Sequence, residues 1–356
     1  MNVARISGYL AFRTVIAAAL GLLIASQLAG CSRGIGTAPD SDSLYALGEA
    51  ERNEISPELA PIFNREGLPR SSNIITVYHS DGYEHRIAEV RELVVEGMDF
   101  YNSKLGIDKV VNVAILDRGD WQVVSGDLPY GLPFVSGFDD PIVVLPATDD
   151  GVLGIGANAM KQYASTETMA KLSDVGMDFE KGARLFVNAI ALHELGHVYG
   201  DLYRIQPRTN WFAEFLATYI GYVFLRDRRP ELATVFEVYA FHLNNDAPGP
   251  QDRSLTRFER EYGGVGPDDY AWYQGMFLDL AIRLYDDHGV GLLDEFGQHF
   301  PPEDGGITFD LPDDRDRDYL ERELDVLDKI SPKIRDWAER LQAAALAQTV
   351  GTSESR

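Results

Sequence analysis

The sequence predicts an α+β protein with an N-terminal α/β lobe and a C-terminal helical lobe. Before residue 160, short β-branched runs surround one long amphipathic segment, whereas apolar residues recur at helical spacing from about Met160 onward. The apolar fraction of 45% is ordinary for a globular core. We therefore expect the α/β lobe over 56–160, the helical lobe over 161–345 and a disordered tail over 346–356.

Three strands and one helix are expected in the N-terminal lobe. The strands are the runs NIITVYHS, KVVNVAILD and PIVVLPA. The helix follows the first run, because its apolar residues from Ile87 to Met98 keep helical spacing and Gly106 closes it. Residues 125–140 are rich in Gly and Pro and predict a loop or hairpin. We expect 141–147 to be an edge strand that could pair with an extended substrate.

The C-terminal lobe contains four long segments with helical periodicity. They are EKGARLFVNAIALHELGHVYG, NWFAEFLATYIGYVFLRD, PELATVFEVYAFHL and PDDYAWYQGMFLDLAIRLYDDHG. Two shorter segments, GVGLLDEFGQHF and IRDWAERLQAAALAQ, complete the lobe. Asn210 is expected to be the N-cap of the second long helix, because Asn side chains accept the amide protons left free at a helix start.

Residues 1–30 have the form of a secretory signal peptide. Arg5 and Arg13 are the only charges there, an apolar run follows from Thr14, and small residues close the segment. At 17 residues this run is at the short limit for a membrane span, which is the alternative interpretation.

The apolar run ends in LAGC, which resembles a bacterial lipobox with lipidation at Cys31. Cys31 is the only cysteine, so lipidation leaves no thiol for a disulfide or for a cysteine protease. Ser32, rather than Asp, follows it, which in the lipoprotein sorting pattern favours the outer membrane. Residues 31–55 then form a lipidated tether, and the protein is expected on the bacterial envelope. The sequence does not indicate whether it lies on the periplasmic or the external face of the outer membrane.

The net charge of −24 becomes −26 once the two arginines of residues 1–30 are removed. Such a charge repels the phosphate backbone and argues against nucleic acid as a partner. It does not fix the oligomeric state.

The segment HELGH predicts a metal site at His193, Glu194 and His197. Histidines at i and i+4 stand on one face of a helix, so both imidazoles can reach one zinc ion about 2.0–2.1 Å away. Glu194, between them, is placed to act as a general base. The alternative is an ordinary helix carrying two histidines, but burying these groups would be costly without a metal or hydrogen-bond partners.

A third protein ligand is needed for a catalytic zinc site. No histidine follows Gly200 at the spacing of the HExxHxxGxxH pattern, since Tyr203 and Arg204 stand there. Glu214, on the next predicted helix, is the candidate, and its apolar neighbours make a merely solvated carboxylate less expected.

The segment WFAEFLATY, residues 211–219, resembles the WLNEGFATY pattern of the aminopeptidase N family of gluzincin zinc peptidases. The connection from His197 is two residues shorter than that family's usual spacer, which a loop can absorb. The resemblance implies a gluzincin, thermolysin-like fold with Zn²⁺ bound by His193, His197 and Glu214. It also implies Glu194 as general base, and a hydrogen bond from Thr218 that orients a ligand is expected one turn after Glu214.

The same family has a YEKG stretch whose tyrosine stabilises the oxyanion, and WYQGMFLDLAIRL is similar to it. Alignment at Gly275 places Trp272 at the tyrosine position, so Tyr273 and Tyr270 are the candidates for that role, with His242 a weaker one. The family's GAMEN segment, whose Glu binds the substrate amine, has its nearest equivalent in GIGANAM, which carries no acid.

The sequence therefore predicts an envelope-anchored zinc metallopeptidase acting on a peptide or protein, without indicating endo- or exopeptidase action. A catalytically inactive gluzincin-like lipoprotein that serves as a binding or assembly factor is the alternative. A zinc hydrolase of a non-peptide substrate is a third possibility.

Overall fold

The computed structural model describes residues 70–72, 74–126, 128–137, 140–262, 265–302 and 317–353. The predicted signal peptide, Cys31 and the tether lie outside these residues. The fold is α+β, with a single described sheet near the N-terminus followed by helices.

The sheet has five strands in the order β1-β2-β3-β5-β4. They are β1 (Arg70–Ser72), β2 (Thr76–His79), β3 (Asn112–Leu116), β4 (Phe134–Ser136) and β5 (Ile142–Pro146). Strands β2, β3 and β5 are parallel, whereas β1 and β4 are antiparallel to their neighbours. The three parallel strands are almost entirely buried, which explains their continuous apolar sequence.

The prediction that 141–147 forms an edge strand is wrong. Strand β5 pairs with β3 on one side and with β4 on the other. The edges of the described sheet are β1 and β4, and the sequence analysis placed β4 in a loop or hairpin region. Three residues between Gly- and Pro-rich turns are too few for an alternating pattern to identify a strand.

Four helices accompany the sheet: α1 (Ile87–Leu105), α2 (Arg118–Ser125), α3 (Val152–Met160) and α4 (Thr166–Asp174). Helix α1 ends as predicted at Gly106, whose φ of 65° is the left-handed conformation that glycine adopts without steric cost. The segment GIGANAM lies in α3.

The remaining helices are α5 (Phe179–Leu202), α6 (Asn210–Arg228), α7 (Pro230–Asn245), α8 (Leu255–Glu261), α9 (Pro267–His288), α10 (Gly291–His299), α11 (Arg317–Ile330) and α12 (Pro332–Ser353). The sequence predicts a disordered tail from residue 346, but helix α12 continues to Ser353. The run AAALAQ consists of good helix formers, and the helix extends from it over the last five residues, TVGTS. In the part of the chain that is described, no helix is long and apolar enough to cross a membrane.

Helices α5 and α6 pack so closely that backbone atoms of one helix contact backbone atoms of the other. A Cβ atom added to Gly196 would lie 2.3 Å from the carbonyl oxygen of Ala217, and one added to Gly221 would lie 3.2 Å from that of Leu192. The two helices therefore run antiparallel, with the middle of α5 against the middle of α6. This close packing requires glycine at position 196.

Gly196→Ala is expected to lower the free energy of unfolding by roughly 2 kcal/mol, because the added methyl group must push two backbones apart. Urea unfolding measures the change. The matched control is Gly156→Ala in the middle of α3, where a Cβ would meet nothing within 4 Å. The control is expected to be neutral or to stabilise by up to about 1 kcal/mol, and equal effects of the two substitutions would contradict the packing argument.

Candidate metal centre

His193 and His197 project from the same face of α5, as the i, i+4 spacing predicts. Their ring centroids are 4.9 Å apart and their planes are nearly perpendicular. Both side chains are partly buried, and Glu194, next to the first of them, is only 6% exposed. All three line one cavity, so Glu194 and the two imidazoles share one space.

Glu214 on α6 completes the group. One ligand atom from each of His193, His197 and Glu214 lies within 4.8 Å of the others. His193 Nε2 and Glu214 Oε2 are 3.3 Å apart. Ligand atoms bound at 2.0–2.1 Å to a tetrahedral zinc ion lie about 3.3 Å from each other, so this pair already has the spacing of two ligands.

A hydrogen-bond chain fixes the His193 ring. The Thr218 hydroxyl donates to Gln274 Oε1 at 3.4 Å, which leaves its oxygen to accept from His193 Nδ1 at 3.1 Å. The hydrogen bond expected of Thr218 is thus present. With a proton on Nδ1, the Nε2 atom, which lies on the Glu214 side of the ring, is the nitrogen available to a metal ion.

The Glu214 carboxylate accepts three hydrogen bonds from neighbouring side chains. Tyr262 donates to Oε1, while Tyr270 at 2.9 Å and Gln274 Nε2 at 2.8 Å donate to Oε2. Burial alone would raise the pKa of Glu214, but the hydrogen bond from His193, the neighbouring imidazoles and Tyr262 outweigh it and hold the pKa below its usual range. The carboxylate is therefore kept anionic inside the fold.

The structure brings Tyr270 to the centre but not Tyr273. The Tyr273 hydroxyl is buried and donates to the carbonyl oxygens of Asp252 and Ser254, at 3.1 and 3.0 Å. This corrects the prediction for Tyr273, because the helical phase of α9 turns its ring towards Phe258 and away from Glu214.

His242 is also unsuitable as the donor. It is fully buried, with Nδ1 at 2.9 Å from an Asp246 carboxylate oxygen and Nε2 at 3.2 Å from the Met160 carbonyl. Burial raises the pKa of Asp246, but hydrogen bonds from His242, Thr168 and Ser165 outweigh it and lower the pKa to about 2. Both ring nitrogens of His242 thus make structural hydrogen bonds in the protein interior.

Carboxylates from other helices hold the beginning of α6. Glu259 of α8 accepts from the amides of Asn210 and Trp211, at 3.0 and 2.6 Å. Glu323 of α11 accepts from the Arg208 amide at 2.8 Å and from the Thr209 hydroxyl. Asn210 is therefore not the N-cap, because it is the first residue of α6 and Thr209 occupies the N-cap position. The Glu259 carboxyl group, from another helix, accepts the amide protons left free at the helix start.

The stability of the Glu323→Gln variant is expected to increase progressively relative to that of wild type as pH rises from about 4.5 to about 8. Burial raises the pKa of Glu323 from 4.5 to about 8, against the lowering effect of the bonds from Thr209 and Arg208. The folded wild type thus holds a proton that the unfolded chain loses, so its stability falls with pH across this window, by roughly 4 kcal/mol in total.

Chemical unfolding of both proteins at pH 4, 6 and 8 measures the difference. Glu339→Gln, at an exposed position of α12, is the control and is expected to show a constant difference from wild type. A constant difference for Glu323→Gln as well would contradict the raised pKa.

The ligand group opens into a cavity of about 330 Å³. One wall of the cavity, from α3, α5 and α7, is apolar. Leu132 and Pro133, just before the edge strand β4, also line the cavity. Four carboxyl side chains line the cavity, whereas none of the described lining residues is Lys or Arg. These carboxyls belong to Glu194, Asp201, Glu214 and Asp268.

Two residues of the centre escaped the sequence analysis. Gln274 lies one turn after Tyr270, so the i, i+4 spacing could have placed both on one face of α9. Tyr262, at the end of the short helix α8, has no comparable signal, because it reaches Glu214 only through the tertiary packing of that helix.

Comparisons of the chain with protein-family models, with curated proteins and with solved structures found no match.

The donor set fits a divalent metal ion. Two imidazole nitrogens and one anionic carboxylate are the three protein ligands of one class of catalytic zinc site, and a fourth position remains for water or substrate. The same donors suit other first-row divalent ions, so the residues select a class of metal rather than one ion.

Proposed function

We propose that this protein is a zinc-dependent peptide hydrolase with a gluzincin-like catalytic centre. The convergence of His193, His197 and Glu214, with Glu194 in the same cavity, carries the proposal. A sheet ahead of two antiparallel helices that share the ligands is also the arrangement expected of a gluzincin fold. We further propose that lipid on Cys31 anchors the enzyme to the bacterial envelope, at the outer membrane, where its substrates are peptides or proteins.

His193, His197 and Glu214 would hold the zinc ion. When bound, zinc supplies Lewis-acid polarisation of the peptide carbonyl and acidifies water. Glu194 accepts the proton of the attacking water and passes it to the leaving amine. Thr218 orients His193, and Tyr262 and Gln274 hold Glu214, so the ligands are positioned before substrate arrives.

The edge strand β4 is the candidate for holding an extended peptide. It is one of the two outermost strands of the described sheet, and Leu132 and Pro133, immediately before it, line the cavity. A peptide added to this edge would be bound through main-chain hydrogen bonds, largely independently of its sequence. Tyr270 is the one predicted tyrosine that lies in the cavity, and we assign to it the stabilisation of negative charge on the substrate carbonyl oxygen.

A binding or assembly factor is the second candidate function. The observation that favours it is that the hydroxyl groups of both predicted tyrosines already make hydrogen bonds. Tyr270 donates a hydrogen bond to Glu214, and Tyr273 donates to main-chain carbonyls. A hydrolase of this type must exchange the Tyr270 bond during the reaction, whereas a binding protein need not.

The deciding experiment combines metal analysis with hydrolysis by the mature chain from residue 32. Plasma mass spectrometry is expected to find about one zinc per chain, and a mixture of internally quenched peptides is expected to be cleaved. Chelation should abolish cleavage, and added zinc should restore it. Bound zinc without cleavage of any peptide would favour the binding factor, and absence of bound metal after zinc is supplied would overturn both the centre and the hydrolase.

A further inference from the structure

The cavity has an acidic end beyond the ligand histidines. Asp201 follows His197 by four residues on α5, so its side chain lies on the same face and about 6 Å further along the helix axis. Its carboxyl group is partly buried and lines the cavity. Among the residues that the structure describes, no cation or hydrogen-bond donor accompanies it, and burial is the one cause that raises its pKa.

Asn210 supplies a second acceptor that lacks a partner. Its side chain is 1% exposed and lines the same cavity, and its amide nitrogen donates to Glu259 at 3.1 Å. The other end of the amide, Oδ1, is buried and accepts no hydrogen bond in the described structure. The antiparallel packing of α5 on α6 brings the end of one helix beside the beginning of the other, so both acceptors lie at one end of the cavity.

An uncompensated carboxyl group and an unsatisfied amide oxygen are both costly inside a protein. They are explained together by a ligand that brings hydrogen-bond donors and positive charge. Pro207, which lines the cavity and is partly exposed, offers an apolar surface for the methylene stem of a lysine or arginine side chain.

We propose that Asp201 and Asn210 form a subsite for a cationic group of the substrate, an ammonium or guanidinium group next to the scissile bond. The acidic lining of the cavity and the net charge of −24 favour approach of such a substrate. The inference rests on the proposed function, because it names the substrate class of the same centre. Asp201 is outside the set of three ligand residues, so its role is recognition and not metal binding.

The test uses peptides that differ at one residue, which is lysine, arginine, glutamate or uncharged norleucine. Each is made with a free and with an acetylated N-terminus, and the variable residue is placed at each of the two positions flanking the scissile bond. Binding is measured by fluorescence anisotropy on zinc-loaded Glu194→Gln protein, and kcat/KM is measured on active protein. At one of the positions, we expect the lysine peptide to bind at least about tenfold more tightly than the norleucine peptide.

Asp201→Asn is expected to abolish this preference while leaving the zinc content unchanged. Asp201→Ser serves as a second variant, and Asp268→Asn, which removes another cavity carboxylate, is the matched control that keeps the preference. Equal binding of the lysine and norleucine peptides, or an unchanged preference in both Asp201 variants, would overturn the subsite. Loss of zinc in the Asp201 variants would overturn it in favour of metal binding.

The binding measurement and the cleavage measurement separate this inference from the hydrolase proposal. Asp201-dependent binding without cleavage supports the subsite and removes the hydrolase, whereas cleavage without Asp201-dependent preference does the reverse. If acetylation of the N-terminus removes the preference, the cation recognised is the terminal amine; if it does not, the cation is the side chain. Either result supports a cation subsite.

Discussion

Glu194→Gln is expected to lower kcat/KM for peptide hydrolysis by about 10³-fold and to leave the zinc content unchanged. The amide is nearly isosteric with the carboxylate but cannot accept the proton of the attacking water. Glu194 also lies outside the group of three ligand residues. The substitution therefore separates proton transfer from metal binding, which loss of a histidine could not do.

The matched control is Glu180→Gln, on the same helix. The Glu180 side chain is 53% exposed and pairs with Lys161 at the surface, so its replacement should leave hydrolysis unchanged. If Glu194→Gln retained more than about a tenth of wild-type activity with zinc bound, another group would have to be the base. Parallel preparations from one host keep contaminating peptidases equal in both samples.

The sequence predicted the candidate ligand histidines because their spacing is a local property of the helix. The i, i+4 spacing in HELGH places His193 and His197 on one helical face wherever that helix packs. Glu214 was found by resemblance to a known segment rather than by spacing, and the helix pair then brings it to 3.3 Å from His193. Gly196 links these observations, because its lack of a side chain lets α6 approach closely enough.

The surroundings of the ligands were harder to predict. Whether Tyr270 or Tyr273 faces Glu214 depends on the rotation of α9, which an apolar helix with tyrosines on two faces does not specify. Tyr262 reaches Glu214 from the end of the short helix α8, and Glu259 of the same helix reaches the beginning of α6. The position of α8 is set by tertiary packing alone. The edge strand β4 was missed because its three residues, between Gly- and Pro-rich turns, are too few for a strand pattern to be recognised.

Glu214→Ala is expected to weaken zinc binding by more than about 100-fold, so that dialysed protein retains little metal. The substitution removes one of three ligands and the anion that partly neutralises the metal. It also leaves Tyr262, Tyr270 and Gln274 directed at a space without an acceptor. Unsatisfied buried donors are costly, so the metal-free variant should also be less stable, by about 1–3 kcal/mol.

Two further substitutions distinguish the ligand role from the hydrogen-bonding role. Glu214→Gln keeps acceptor capacity but lacks the charge, so it should recover part of the stability and little of the zinc. Tyr262→Phe removes one donor and keeps the carboxylate, so it should retain about one zinc per chain with an affinity lower by about tenfold. If Glu214→Ala and wild type bound zinc equally in a competition titration, Glu214 would not be a ligand, and HELGH would need its third donor from elsewhere in the chain.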